Sequence, residues 1–300
     1  MSIEVKNVTK IYSNQKALDN VSFVVNPGEI VGFLGPNGAG KSTMMKIITC
    51  FIPQTEGQIK VCGFDVTEQP IDVKRHVGYL PEHNPLYLDM YVKEYLDFTA
   101  GVYKISNKKE RIKEMIEMVG LTIEQNKKIG ALSKGYRQRV GLAQAMIHNP
   151  DVLILDEPTT GLDPNQLEEI RNLIKQIGKE KTIMLSTHIM QEVDAICDRT
   201  IIINKGKIVA DDLTKDLHNI KSNAIVLIVE FDKEVNKSQL EKIDGVLNVL
   251  NKTSNTWFLE ITSDNIRNNI YQFAMQNELT VLTIQKETQS LESVFKNLTK

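Results

Sequence analysis

No stretch of the sequence reaches the roughly 18 consecutive apolar residues needed to cross a bilayer, and Met1-Ser2-Ile3-Glu4-Val5 shows no basic patch leading into an apolar core, as a secretory leader would. The expectation is a chain soluble by itself, with any membrane role borrowed from a partner. Cysteine is scarce: Cys50, Cys62 and Cys197 fall in no metal-ligand spacing and sit among apolar neighbours, which predicts buried, reduced thiols in a cytosolic protein. Excess positive charge is absent too, since the formal net charge is −2, so no nucleic-acid partner is expected. The densest basic stretch, Lys108-Lys109-Glu110-Arg111-Ile112-Lys113, carries Ile112, Met115, Ile116 and Val119 at helical spacing and is read as the wet side of an amphipathic helix. Repeats and low-complexity linkers are missing, and 300 residues suggest about two domains.

What the sequence does contain begins with Gly35-Pro36-Asn37-Gly38-Ala39-Gly40-Lys41-Ser42-Thr43, set between the apolar run Ile30–Leu34 and the helix-like stretch Met44–Ile48. This is the phosphate-binding pattern G-x-x-x-x-G-K-[ST] with its required flanks, strand before and helix after. A triphosphate must be held by oriented dipoles and cations. Glycines let successive N–H groups point inward, and the helix N-terminus adds partial positive charge. Lys41 is expected on the β- and γ-phosphates and the Ser42 hydroxyl on Mg²⁺, so a nucleoside triphosphate and Mg²⁺ are the expected ligands, and the loop alone says no more.

A second element is Val152-Leu153-Ile154-Leu155-Asp156-Glu157, an apolar strand ending in two acids. Asp156 is placed to hold the water shell of the same Mg²⁺, and Glu157 to take a proton from an attacking water. Taken alone, the pair could simply cap the turn Pro158-Thr159-Thr160-Gly161; beside the glycine-rich loop the chemical reading is preferred. The guanine-reading pattern N-K-x-D fails, because Asn204-Lys205-Gly206 is followed by Lys207.

Early strands around Ile3–Val8 and Val21–Val25 predict a hairpin-like β layer, then strands at Gln58–Cys62 and His76–Leu80. Helical faces follow at Tyr91–Tyr103 and Lys108–Val119. From residue 151 strand and helix alternate through Val152–Leu155, Gln166–Ile177, Thr182–Ser186, Ile189–Cys197 and Thr200–Ile203, a pattern for a parallel sheet covered on both faces. Composition shifts near Asp211-Asp212. Beyond it the order is β-α-β-β-α-β, with strands at Ala224–Phe231, Val246–Leu250, Trp257–Ile261 and Val281–Gln285 and helices at Lys237–Ile243 and Asp264–Gln276, the ferredoxin-like arrangement, closed by a helix at Ser290–Leu298.

Between the loop and the acids stands Leu132-Ser133-Lys134-Gly135-Tyr136-Arg137-Gln138-Arg139, which resembles the signature motif of the ATP-binding-cassette (ABC) family. With Gly161-Leu162-Asp163 and Ser186-Thr187-His188 in the family's order, the resemblance covers about residues 3 to 210. It implies an α/β, P-loop ABC ATPase fold with a mixed β core sheet, an antiparallel β layer and a helical subdomain at about 83–145. The nucleotide-binding domain would span 1–212 and a small α+β accessory domain 213–300. It further implies that Tyr12 stacks on adenine and that Ser133 and Gly135 contact the γ-phosphate held by a second copy in a head-to-tail homodimer. His188 would touch the γ-phosphate and the attacking water, and Asp163 would link the two sites. The signature is usually L-S-G-G-Q; Lys134 and Tyr136 are departures, Lys134 adding a cation near the phosphate. Glu82, where the family has glutamine, can still approach Mg²⁺ or water but cannot donate hydrogen bonds.

Residues 83–91 and 133–139 are similar to gliding-motility ATP-binding subunits, and the tail, with its ending Leu291-Glu292-Ser293-Val294-Phe295, to ABC-2-type exporter ATPases. The resemblance implies an ATPase that drives separately encoded transmembrane permease subunits from the cytoplasmic face of the inner membrane. Tyr87, Tyr91 and Tyr95, near Glu82, are the expected docking face. An ABC ATPase acting on nucleic acid or ribosomes, and a regulatory ATP-binding module, are the alternatives. The first usually carries long coiled-coil insertions or two fused cassettes, and neither is present.

Overall fold

In the computed structural model, described for residues 1–217, 225–261, 266–286 and Phe295, the chain divides into two compact units, the first formed by Met1–Lys215 and the second beginning at Asp216. The first unit opens with the long strands β1 (Ile3–Tyr12) and β2 (Gln15–Val25), then β3 (Ile30–Leu34) and helix α1 (Lys41–Ile48). Strands β4 (Glu56–Val61) and β5 (Phe64–Asp65), helix α2 (Pro70–His76) and strand β6 (Val77–Leu80) follow. Three helices come next, α3 (Val92–Val102), α4 (Lys108–Met118) and α5 (Lys134–Met146). The chain then alternates through β7 (Val152–Asp156), α6 (Pro164–Gly178), β8 (Thr182–Thr187), α7 (Met190–Ile196) and β9 (Arg199–Asn204), and ends the unit on β10 (Lys207–Leu213) and a one-turn helix α8 (Thr214–Leu217).

Two sheets build this unit. One is antiparallel, in the order β2-β1-β4-β5; the other has six strands in the order β10-β9-β3-β8-β7-β6, parallel except for the edge hairpin of β9 and β10. Strands β3, β7 and β8 are buried at every position, as unbroken apolar runs covered on both faces must be. The core that joins the sheets is filled by Val5, Phe23, Phe33, Met44, Ile47, Ile59, Ile154 and Ile201. Both sequence-expected sheets are therefore present, and among the described residues no helix is long and apolar enough to cross a membrane.

The register of the large sheet decides which side chains meet at its edge. Because β8 lies between β3 and β7, Leu34 pairs with Thr187 and Asp156 with Ser186. The carboxyl ends of all three strands thus finish side by side, the edge at which open α/β sheets bind ligands. Strand β6, paired Leu80 to Leu155, delivers Glu82 to the same edge.

The second unit contains β11 (Ile225–Phe231), α9 (Lys237–Leu240), β12 (Val246–Thr253), β13 (Thr256–Ile261), α10 (Arg267–Gln276) and β14 (Val281–Lys286), in a sheet ordered β12-β13-β11-β14. Numbered within the unit this is 2-3-1-4, the antiparallel sheet of the split βαβ plan. Its own core is lined by Leu227, Phe231, Leu240, Trp257, Leu259 and Ile270. The expected closing helix at 290–298 falls, Phe295 aside, outside the described residues.

Strand β10 runs on through Asp211-Asp212, where Arg199 grips Asp211 with a forked pair of hydrogen bonds, both 2.7 Å, and the first unit closes at Lys215. Two expectations need correction. Tyr95 is core: it is buried, its hydroxyl donates to Gln144 Oε1 at 2.8 Å, and burial pushes its phenol up to about 12. That leaves Tyr87 and Tyr91 exposed, Tyr87 packing edge-on against Tyr95. Of the cysteines only Cys197 is fully buried; Cys50 and Cys62 are half-buried.

Candidate nucleotide site

A cleft of 590 Å³ opens at the shared carboxyl edge of the core sheet, lined by Tyr12, Asn37, Gly38, Gly40, Lys41, Ser42, Thr43, Glu82, Glu157, Thr160 and His188 among others. The glycine-rich loop leads from β3 into α1, whose first amides have no acceptor within the helix and are free for an anion. Gly40 makes the turn with φ of 111°, and a Cβ there would meet the carbonyl oxygen of Ala17 at 2.5 Å. An L side chain is excluded on both grounds.

Lys41 is buried, yet its ammonium is fully engaged: it donates to Gly35 O at 2.7 Å and Pro36 O at 3.4 Å and lies 3.5 Å from Glu157 Oε1. The cation is thus poised at the cleft, held by the loop that it would share with a phosphate. Ser42 Oγ donates to Asp156 Oδ1 at 3.2 Å, and Ser186 Oγ donates to the same oxygen at 2.5 Å. A hydroxyl and a carboxylate, both presenting oxygen, suit the hard cation Mg²⁺, so the donor set fits.

Glu157 is the most constrained member. It is nearly buried and has φ of 49°, a left-handed conformation unusual for a side-chain-bearing residue. Ser186 holds it there, accepting the Glu157 N–H at its carbonyl (3.2 Å) and hydroxyl (3.1 Å) oxygens. The carboxylate accepts from Thr160 Oγ1 at 3.2 Å and lies 2.9 and 3.0 Å from His188 Nδ1. A carboxylate, a cation and an imidazole therefore meet within one hydrogen-bonded set at the cleft wall.

Tyr12, half-exposed, also lines the cleft, with the ammonium of Lys10 5.1 Å from its ring centre. Glu82 lines the cleft as well. Ser133, Gly135 and Asp163 do not. Ser133 is exposed at the N-cap of α5, accepting from Tyr136 N at 3.4 Å, and Asp163 caps α6 by accepting from Gln166 N at 3.0 Å. The Lys134 ammonium lies against Gly161, where a Cβ would come within 2.2 Å of Nζ.

Sequence reading missed one feature of the site. Glu192, 1% exposed, accepts from Thr159 Oγ1, just after the acid pair, and from Thr187 Oγ1 at 2.6 Å, just before His188. Thr187 Oγ1 in turn accepts from Ile189 N at 3.0 Å. The signal was present: Glu192 stands four residues before Ile196 on the inward stripe of α7, and a carboxylate there must have partners. Replacing it with alanine strips two buried hydroxyls of their acceptor. The variant is expected to lose about 1–3 kcal/mol of unfolding free energy, read in urea, together with part of its ATPase activity. An unchanged urea midpoint would remove the network from the site's support.

The comparisons agree with this geometry. Residues 18–160 match the family model described as ABC transporter. The chain is 33% identical to the ABC transporter ATP-binding protein YhcH of Bacillus subtilis (strain 168), over 99% of this chain and 95% of that protein. It is 32% identical to the bacitracin transport ATP-binding protein BcrA of Bacillus licheniformis, over 99% and 96%. Among solved structures, one described as an ATP binding subunit of an ABC transporter superposes with a TM-score of 0.67 at 31% identity, covering 73% of this chain and 92% of that one. The dimeric post-hydrolysis state of the ATP-binding cassette MJ0796 with ADP and Pi gives 0.65 at 28% identity, covering 71% and 98%. The chain belongs to the ABC transporter family, as an ATP-binding subunit that hydrolyses ATP.

Proposed function

We propose that this chain is the ATPase subunit of an ABC-2-type exporter, closing head to tail with a second copy over two ATP molecules and working a separately encoded membrane permease from the cytoplasmic face of the inner membrane. The observation that carries the reading is the division of the motifs: the cleft gathers Tyr12, Lys41, Ser42, Glu157 and His188, while Ser133 stands exposed outside it. A second copy is the natural source of the missing contact. Two of the relatives that share almost the whole chain, tail included, carry transport and resistance names, bacitracin transport for BcrA and linearmycin resistance for LnrL of Bacillus subtilis (strain 168). The narrower gliding-motility reading rests on the likeness of residues 83–91 and 133–139.

In this reading the unit up to residue 212 does the chemistry and residues 213–300 are an accessory domain. Ser42 and Asp156 would hold Mg²⁺, with Glu82 at the rim; the ion would spread the negative charge of the phosphates. Tyr12 offers its ring to adenine. Lys41 releases its loop carbonyls to meet the β- and γ-phosphates, Glu157 takes the proton of the attacking water, and His188 orients that carboxylate and touches the γ-phosphate. With the γ-phosphate gone, the bridge from Lys41 to the partner copy's signature turn is broken and the pair reopens.

The reading is tested by isolating the tagged chain from detergent-solubilised membranes of its source cell. Export predicts that a protein with several apolar spans comes with it in roughly constant proportion. Recovery of ribosomes or nucleic acid instead would transfer the chain to the non-transport ABC ATPases, and recovery of neither would favour a regulatory module.

A further inference from the structure

Away from the nucleotide cleft, Cys62, His76 and Asp151 bring a thiol, an imidazole and a carboxylate together, with donor atoms all within 4.8 Å of one another. The three come from separate places in the fold. Cys62 sits in the turn between β4 and β5, its N–H donating to Ser2 O at 2.9 Å; His76 is the last residue of α2; Asp151 immediately precedes β7. The sequence offered no sign of this, since spacings of 14 and 75 residues match no short ligand motif. Sheet packing makes the cluster.

The cluster is held in place by contacts of its own. Asp151 N donates to His76 O at 3.0 Å, and His76 Nδ1 lies 2.5 Å from Asp151 Oδ2. The Phe64 ring stacks on the imidazole, centroids 5.2 Å apart and planes 18° from parallel. The imidazole is therefore oriented on one face by an aromatic ring and at one nitrogen by a carboxylate. Cys62 is half-buried, and the His76 and Asp151 side chains are 36% and 62% exposed, so a hydrated ion can reach them from solvent.

We propose that Cys62, His76 and Asp151 bind a thiophilic divalent cation of the Zn²⁺ class, with water in the fourth position. Zinc takes sulfur at about 2.3 Å and nitrogen or oxygen at about 2.0–2.2 Å, usually in a tetrahedron. Donors at those radii stand roughly 3.5 Å apart, so binding requires the His76–Asp151 pair, now hydrogen-bonded at 2.5 Å, to open and exchange its shared proton for the ion while the wider separations, up to 4.8 Å, close, both by rotation of the exposed side chains. The donor set also separates this site from the nucleotide cleft: Mg²⁺ prefers oxygen alone, whereas a thiolate with imidazole selects softer ions. An ion here would clip the β4–β5 turn of the antiparallel layer to the start of β7 in the core sheet. It would therefore stabilise the chain by mass action, binding the folded state and not the unfolded one.

The test uses the full-length, nucleotide-free chain, freed of metal by a chelator, kept reduced, and titrated with Co²⁺ as a spectroscopic stand-in for Zn²⁺. A near-ultraviolet thiolate-to-cobalt charge-transfer band is expected, accompanied by visible ligand-field bands of tetrahedral intensity and erased by added Zn²⁺ but not by Mg²⁺. The Cys50→Ser/Cys197→Ser double variant keeps the band and Cys62→Ser loses it. Asp151→Asn, a change at an exposed position that leaves the fold undisturbed, weakens Co²⁺ binding by tenfold or more. Zn²⁺ is further expected to raise the thermal midpoint of the wild type by several degrees and that of Cys62→Ser by none. No charge-transfer band in the wild type, a band that survives Cys62→Ser, or full affinity in Asp151→Asn would each overturn the proposal.

Discussion

Glutamine in place of Glu157 is expected to lower ATP turnover by about 10²–10⁴-fold, the contribution of a positioned general base, while ATP binding stays near that of the wild type. The amide is the same size and can still accept from Thr160 Oγ1 and face His188, so the loop with its strained φ of 49° keeps its shape. What the amide cannot do is take a proton from water. Binding should survive because Lys41 has other anchors: its bonds to Gly35 O and Pro36 O hold it at the cleft without the carboxylate. Phosphate release measured beside equilibrium binding of labelled ATP separates the two effects. Turnover near the wild-type rate would take Glu157 out of the base role, and loss of ATP binding would make the carboxylate part of the phosphate cradle.

The same residue shows how far the sequence alone carries. Glu157, Asp156, Lys41, Ser42 and His188 were legible because each lies within a short motif whose flanks say strand or helix. Their mutual arrangement follows from parallel strands with adjacent carboxyl ends. Ser186, Thr159 and Glu192 were not legible in these roles, because the bonds that tie β7 and its loop to β8 and α7 join residues about thirty apart, matched only by the register of β7 against β8 and by the packing of α7. Helix α2 escaped for another reason. It has Pro70 at its first turn and Lys74, Arg75 and His76 in its last, sound end signals, but only Val73 is buried, so no apolar stripe marks it. The hold of Arg199 on Asp211, twelve residues on along the neighbouring strand, was not legible either. For the side-chain pairs the missing information was a partner placed by the fold, which no local pattern encodes.

The proposed two-copy site makes the remaining prediction the most demanding. With ATP, the Glu157→Gln variant should run as a dimer in light scattering, doubling the 33.9 kDa of the chain, and with ADP as a monomer. Slow hydrolysis keeps the γ-phosphate in place long enough to be observed. The physical source is the exposed N-terminus of α5: Ser133 caps it, and its first amides have no acceptor within the helix. A γ-phosphate held by Lys41 of one copy can satisfy those groups on the other, and ADP carries no γ-phosphate to do so. Ser133→Asp isolates this contact. Aspartate is as good an N-cap as serine, so α5 should keep its start, but the added charge opposes the phosphate across the joint. The double variant Glu157→Gln/Ser133→Asp is therefore expected to bind ATP as a monomer. An oligomer indifferent to nucleotide, or a dimer that tolerates the aspartate, would mean that Ser133 meets no phosphate and that each cleft works within its own chain.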